Sequence, residues 1–388
     1  MVAVRGRDVT GRPIELAWEA GRITRVSLLD AAADRLPFLL PGLVDLQVNG
    51  FAGIDLNADG VSAAEVEAIC VALAGQGTTG FLPTVITGPP RRMLTGIRAV
   101  RAAVEAGGLA RQLVLGIHLE GPFISAGEGM RGAHDPDWIR DPDLAELDEW
   151  RRAAGDLPLL ITLAPERKGA PAFIRAAVER SVTVAIGHCL PTVEQCRAAI
   201  DAGARLATHL GNGLPAQLPR HPNHLWTLLA DDRVQAGLIA DGDHLPVDTF
   251  VSMVRAKSPA RCHLVSDSAA LAHCPPGEYL SPIGGRVTVA AGGSLRMTGT
   301  PYLAGSGRTL LECVHWALRH APLPAADLVA MASRYPAQRV AAAGRGVLAV
   351  GARADLLVLE QTGTIEVRLA GEPVATLPDP GLAGLLPG

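Results

Sequence analysis

Long apolar runs are missing from this 388-residue chain. No stretch approaches a membrane-spanning length without interruption, and the first twenty residues, MVAVRGRDVTGRPIELAWEA, carry several charges and no apolar signal region. The expectation is a cytoplasmic protein with no membrane partner. An excess of one charge is also lacking: the net charge is −4, and the charged residues are scattered rather than clustered. Nucleic acid and anionic surfaces are therefore not expected partners, and a small molecule fits better. None of the six cysteines (Cys70, Cys189, Cys196, Cys262, Cys274, Cys313) stands in C-x-x-C spacing, so neither a disulfide framework nor a cysteine zinc site is indicated, and mostly buried, reduced thiols are expected. No G-x-G-x-x-G follows the early strand-like runs. The Gly-rich pieces GQGTTG (75–80) and GTPYLAGSG (299–307) lack the lysine of a phosphate loop and read as turns.

What is there is a large apolar content, 48%, distributed in short runs. Both ends of the chain alternate β-like runs with Gly-containing turns, so residues 1–38 with 344–388 are expected to form a small β-sandwich domain from the two termini. The final PDPGLAGLLPG reads as a loose tail. Between the ends, across 39–343, eight apolar runs alternate with Ala-rich amphipathic stretches: LVDLQV, GFLPTVI, LVLGIHLE, LPLLITLA, VTVAIGHC, ARLATHL, VQAGLIA and RCHLVSD. Eight buried strands alternating with helices predict an α/β fold, a (β/α)8 TIM-like barrel; an open doubly wound sheet is the rival.

In such a barrel the chemistry lies at the C-terminal ends of the strands. The polar residues closing the runs are Gln47 and Asn49 on the first, His118 and Glu120 on the third, His188 on the fifth, His209 on the sixth and Asp267 on the eighth. Glu120, His188 and His209 supply one carboxylate and two imidazoles, the ligand set of a catalytic divalent metal site with an open position. Asp267 is then the general base for water held by the metal and the acid for the leaving group. His118 shares a strand face with Glu120 but is read as structural. Any one of these histidines alone is as well explained by a backbone partner; four ionisable groups on four strand ends are not, because burying even one carboxylate costs several kcal/mol.

At these residues the sequence resembles the N-acetylglucosamine-6-phosphate deacetylase family of the amidohydrolase superfamily. The matching stretches are PGLVDLQVNGFAGIDLN (41–57), GIHLEGPFI (116–124), RGAHDPDWIR (131–140), AIGHC (185–189), THLGNGLP (208–215), GLIADGDH (237–244), HLVSDS (263–268) and LAGSGRTLLECV (303–314), in order across most of the chain. The resemblance implies amide hydrolysis of an N-acetylated amino sugar, with Glu120, His188 and His209 on the metal, Asp267 as catalytic acid and base, and His134 polarising the amide carbonyl. It implies that Asn212, Gly213, Arg220 and His244 contact the sugar phosphate, the arginine reaching the other subunit's site in a homodimer. Where some members carry H-x-H, this chain has Gln47-Val48-Asn49, a vestigial second-metal position. One divalent ion per subunit is implied, Zn²⁺ first, with Fe²⁺, Co²⁺ or Mn²⁺ compatible with the same ligands.

The chain also departs from the family. Gly213-Leu214 replaces the usual residues after Asn212, and Asp243 stands beside His244, where a carboxylate facing a phosphate would cost on the order of 1 kcal/mol. His221 and His224 flank Arg220 as added cations or as solvent-facing loop residues. SAALAHCPPGEY after Asp267 implies a changed pocket rim. The alternatives are therefore a different N-acyl substrate on the same metal barrel, or a metal-free scaffold.

Overall fold

A computed structural model describes residues 1–30, 35–281 and 284–387. All eight apolar runs are strands of one parallel sheet: Leu43–Val48, Thr78–Ile86, Ile117–Glu120, Leu159–Leu163, Thr183–Ile186, Leu206–Ala207, Gln235–Ile239 and Cys262–Val265, paired in sequence order. The sheet curls until first and last strands meet, through a parallel bridge between Val48 and Ser268 and the bonds Asp267 N to Gln47 O (3.1 Å) and Asn49 N to Ser268 O (2.8 Å). The (β/α)8 barrel is thus nearly closed. Inside it Val44, Leu46, Leu82, Leu160, Ala185, Leu206, Ile239 and Val265 pack into an apolar plug, leaving the ends of the strands for polar groups.

The intervening helices form because their apolar residues fall on one face. In Ala63–Ala74 the buried positions are Val66, Ile69, Cys70, Leu73 and Ala74, the spacing of a single helical stripe. That helix begins with a reciprocal cap between Ser62 and Glu65, a device repeated at Thr192/Gln195 and Thr309/Glu312.

The termini build one seven-stranded sheet. Its order is Glu372–Pro378, Thr364–Leu369, Leu356–Glu360, Phe38–Pro41, Val2–Arg7, Pro13–Glu19, Arg22–Leu28. The two ends of the chain join where Leu39 pairs with Val358, antiparallel. Asp355, 1% exposed, ties this sheet to the barrel: it binds Arg345 (2.6 Å) and Arg353 (3.0 Å), and Arg345 also donates to the carbonyls of Thr79 and Gln112.

Two expectations need correction. The C-terminal tail is docked rather than loose: Asp379 accepts from the amides of Gly381, Leu382 and Ala383, and this turn drives Leu382 and Leu386 into the main core. After the eighth barrel strand comes an unforeseen three-stranded antiparallel sheet, Gly277–Ser281, Gly285–Val289 and Leu295–Met297, with a small core of Ala269, Val287, Val289, Leu295 and Ala304. It carries residues 301–305 to the barrel mouth.

Candidate active site

Three of the expected residues sit just past their strands in a conformation that side chains rarely adopt. His188 has φ 50°, His209 φ 27° and Asp267 φ 52°. Left-handed backbone at a non-glycine residue costs about 1–3 kcal/mol and persists where the surrounding fold imposes it, commonly at functional sites. Here it turns three side chains from three separate strand ends toward one point. On the first strand the pairing register shifts between Asp45 and Val48, and this irregularity lets Gln47 and Asn49 meet the same cluster.

At the centre is Glu120, 3% exposed. Its Oε1 lies 2.9 Å from His209 Nε2 and 3.2 Å from His188 Nε2, and those two nitrogens are 3.0 Å apart. His188 Nδ1 donates to the Met130 carbonyl (2.7 Å), so in the neutral ring Nε2 is a lone pair facing a carboxylate. A carboxylate oxygen and two imidazole nitrogens this close must share protons or a cation. Ligand atoms about 2.0–2.1 Å from a tetrahedral zinc stand roughly 3.3 Å from one another, close to the three separations here. The residues fit a divalent ion. Without an ion, burial would raise the Glu120 pKa, but His188 and His209, when their Nε2 atoms are protonated, donate to the carboxylate and outweigh burial, holding the carboxyl well below the usual range.

His134 joins the cluster more loosely, its Nε2 3.9 Å from Glu120 Oε2. Glu120, His134 and His188 offer ligand atoms within 4.8 Å of one another, so a set with His134 in place of His209 is also geometrically open. The shorter distances favour His209. His134 Nδ1 is 2.8 Å from Thr87 Oγ1, whose other acceptor, the Glu120 carbonyl, is 3.4 Å away and already takes the Thr87 amide at 3.0 Å. With the hydroxyl donated to Nδ1, His134 presents Nε2–H to the cavity. Burial, together with the neighbouring His188, lowers its pKa to about 3, so the ring is neutral.

Asp267, 8% exposed, receives two amide donors on one oxygen: Gln47 Nε2 at 2.9 Å and Asn49 Nδ2 at 2.8 Å, both to Oδ1. Gln47 Nε2 also reaches Glu120 Oε1 at 2.6 Å. At the vestigial second-metal position Gln47 thus bridges two carboxylates, and Asn49 gives Asp267 a second donor. Burial first, and then the Glu120 charge, raise the Asp267 pKa to about 6.

Asn49, Glu120, His134, His188, His209, Asn212, Gly213, His244 and Asp267 line one cavity of about 310 Å³, with residues 301–305 on its rim. Arg220 is exposed and outside that lining. Asp243 is exposed too and absent from the lining, whereas His244 faces in. Of the flanking histidines, His221 is exposed, but His224 is 1% exposed with both ring nitrogens unbonded among the described residues, so it is not a surface cation. His118 is structural as expected: Nδ1 donates to Leu46 O (3.2 Å), and Nε2 accepts from Thr162 Oγ1 (2.7 Å). Sequence reasoning missed Thr87, Asp241 and Ser306. A second cleft of about 380 Å³, lined by Arg98, Arg101, Arg152 and Glu105, contains none of these groups.

Residues 38–380 match the amidohydrolase family. The chain is 34% identical over 349 residues to the N-acetylglucosamine-6-phosphate deacetylase of Danio rerio, covering 87% of this chain and 84% of that protein. It is 31% identical to the N-acetylgalactosamine-6-phosphate deacetylase of Escherichia coli O157:H7, with 83% of each covered. Among solved structures, a mutant N-acetyl-D-glucosamine-6-phosphate deacetylase from Mycobacterium smegmatis, in complex with N-acetyl-D-glucosamine-6-phosphate, superposes with a TM-score of 0.86 at 31% identity, over 96% of this chain and 99% of that one. With a buried His/Glu cluster at the mouth of a barrel and relatives of this similarity along its length, the chain belongs to the amidohydrolase family and, within it, to the N-acetylglucosamine-6-phosphate deacetylase family.

Proposed function

We propose that this enzyme removes acetate from the 2-acetamido group of an N-acetylhexosamine 6-phosphate, N-acetylglucosamine-6-phosphate first. The observation that carries the reading is the convergence of Glu120, His188 and His209 at mutual distances of 2.9–3.2 Å beside Asp267. These three residues would hold one divalent ion, Zn²⁺ by preference for a two-imidazole, one-carboxylate set. Bound there, it supplies a Lewis acid for the amide carbonyl and lowers the pKa of water.

The remaining chemistry belongs to the side chains. Asp267 Oδ1 is occupied by Gln47 and Asn49, which leaves Oδ2 to take a proton from the attacking water. His134 Nε2–H donates to the carbonyl oxygen as negative charge grows on it, and Thr87 maintains that tautomer. As the C–N bond breaks, Asp267 returns the proton to the departing nitrogen, giving acetate and a free amine. Asn212, Gly213 and His244 contact the sugar phosphate. Arg220, exposed and outside the lining of its own cavity, completes the site of the second subunit in a homodimer. A cytoplasmic setting suits six unpaired cysteines, five of them buried.

A second reading exchanges the substrate for its C4 epimer, favoured by the 31% identity to the galactosamine enzyme. Acetate release from N-acetylglucosamine-6-phosphate, N-acetylgalactosamine-6-phosphate and unphosphorylated N-acetylglucosamine tests both. Preference for a phosphorylated sugar supports the proposal, and the better epimer selects between the readings. Faster turnover of the unphosphorylated sugar, or of an N-acyl amino acid, would refute it.

A further inference from the structure

Asp241 lies just past the seventh barrel strand, and its side chain is 1% exposed. Its two oxygens have different duties. Oδ1 accepts from the backbone amides of Asp243 (2.9 Å) and His244 (2.8 Å), which folds residues 241–244 into a tight turn. Oδ2 accepts from His244 Nδ1 (2.7 Å) and from Ser306 Oγ (3.0 Å). Ser306 is itself fixed, its amide donating to the Asp267 carbonyl at 2.9 Å. A buried carboxylate with four donors cannot reorient without leaving several of them unsatisfied.

We propose that Asp241 is the positioning residue for His244, locking the imidazole by its Nδ1 edge so that Nε2 is the ring atom directed to the substrate. Since Nδ1–H is committed to a carboxylate, the ring has one free nitrogen, and His244 lines the cavity. Burial disfavours the charged ring, but Asp241 more than offsets it, and the His244 pKa is raised. Nε2–H is therefore a charged donor suited to an anionic group of the ligand. Ser306 holds Oδ2 from the opposite side, so the rim at 301–305 and the turn at 241–244 are fixed by the same carboxylate. This inference rests on the phosphorylated-sugar reading for its ligand but not for its geometry.

The D241N variant is a clean probe. Its retained carbonyl oxygen still serves the two backbone amides, while the atom facing His244 changes from acceptor to donor. We expect D241N to raise KM for the phosphorylated substrate about tenfold or more, as loss of a charge-assisted hydrogen bond does, with kcat changed far less. H244Q should do the same, and D241N/H244Q should be no worse than H244Q alone, because the two residues act as one unit. Additive losses in the double variant, or a wild-type KM in D241N, overturn the proposal. Nitrogen-15 NMR of His244 in the wild-type protein gives a second readout, independent of turnover. A proton held on Nδ1 supports the lock, and a freely exchanging ring contradicts it. Wild-type enzyme inactive on every sugar would refute the substrate reading, and the NMR result would then decide the positioning claim.

Discussion

Asp267 combines an unusual backbone with a polarised environment, and each has a consequence. Asparagine tolerates the left-handed region better than most residues, so Asp267→Asn should keep the fold. Without a proton acceptor, kcat should fall by about 10²–10⁴-fold with Tm within a few degrees of wild type, checked by acetate release and calorimetry. A fall of less than tenfold would move the base elsewhere. Gln47 makes a different prediction, because its amide lies between two carboxylates. Gln47→Leu removes that donor from both, and metal affinity measured by chelator competition should drop about 10–100-fold, the usual effect of losing a group that orients a metal ligand. The strand-end residues are legible in the sequence because a charge closing a buried apolar run is costly unless a cation or a set of partners compensates it. Thr87, Ser306 and Asp241 are not: hydroxyls carry no such signal, and nothing in GLIADGDH shows that His244 folds back onto Asp241.

At the scale of elements, the helix Leu310–His320 shows how one side chain links local and tertiary structure. Glu312 accepts from the Thr309 amide (2.8 Å) as part of the cap and from His273 (2.9 Å) in the segment after the eighth barrel strand. Burial pushes its pKa up, but these bonds prevail and hold the carboxyl at about 2, below its ordinary 4.5. A depressed acid stabilises the fold above its unfolded pKa and loses that contribution as pH falls toward the folded value. Glu312→Gln should therefore cost about 1–2 kcal/mol near neutral pH, discounted because the side chain is nearly one-third exposed, and the deficit should shrink between pH 4.5 and 2. Urea denaturation of both proteins across that range measures it; a pH-independent difference would refute the assignment. The barrel strands and their order follow from apolar runs alternating with amphipathic stretches. The rim sheet at 277–297 does not, because its Gly- and Pro-rich connections look like loops and its core needs Ala269 and Ala304 from outside the segment.

For the molecule as a whole, the junction between terminal sheet and barrel depends on Asp355. Removing one partner of a buried ion pair typically costs about 3–5 kcal/mol, since the other charge is left without compensation. Asp355→Ala strands Arg345 and Arg353, so its unfolding free energy in urea should be lower by about that amount. A loss under 1 kcal/mol would mean that the sheet is held without this pair. The docked C-terminus belongs to the same scale: Leu382 and Leu386 find their core only after both termini are in place, which local sequence does not reveal. On the function proposed above, catalysis by the assembled barrel would depend on one cation held by residues from three strand ends. An anomalous-difference map collected across the zinc absorption edge tests this most directly. We predict one peak per subunit within bonding distance of Glu120, His188 and His209, and none at Gln47 and Asn49; a map without a peak among those three side chains, from metal-replete active enzyme, would contradict it.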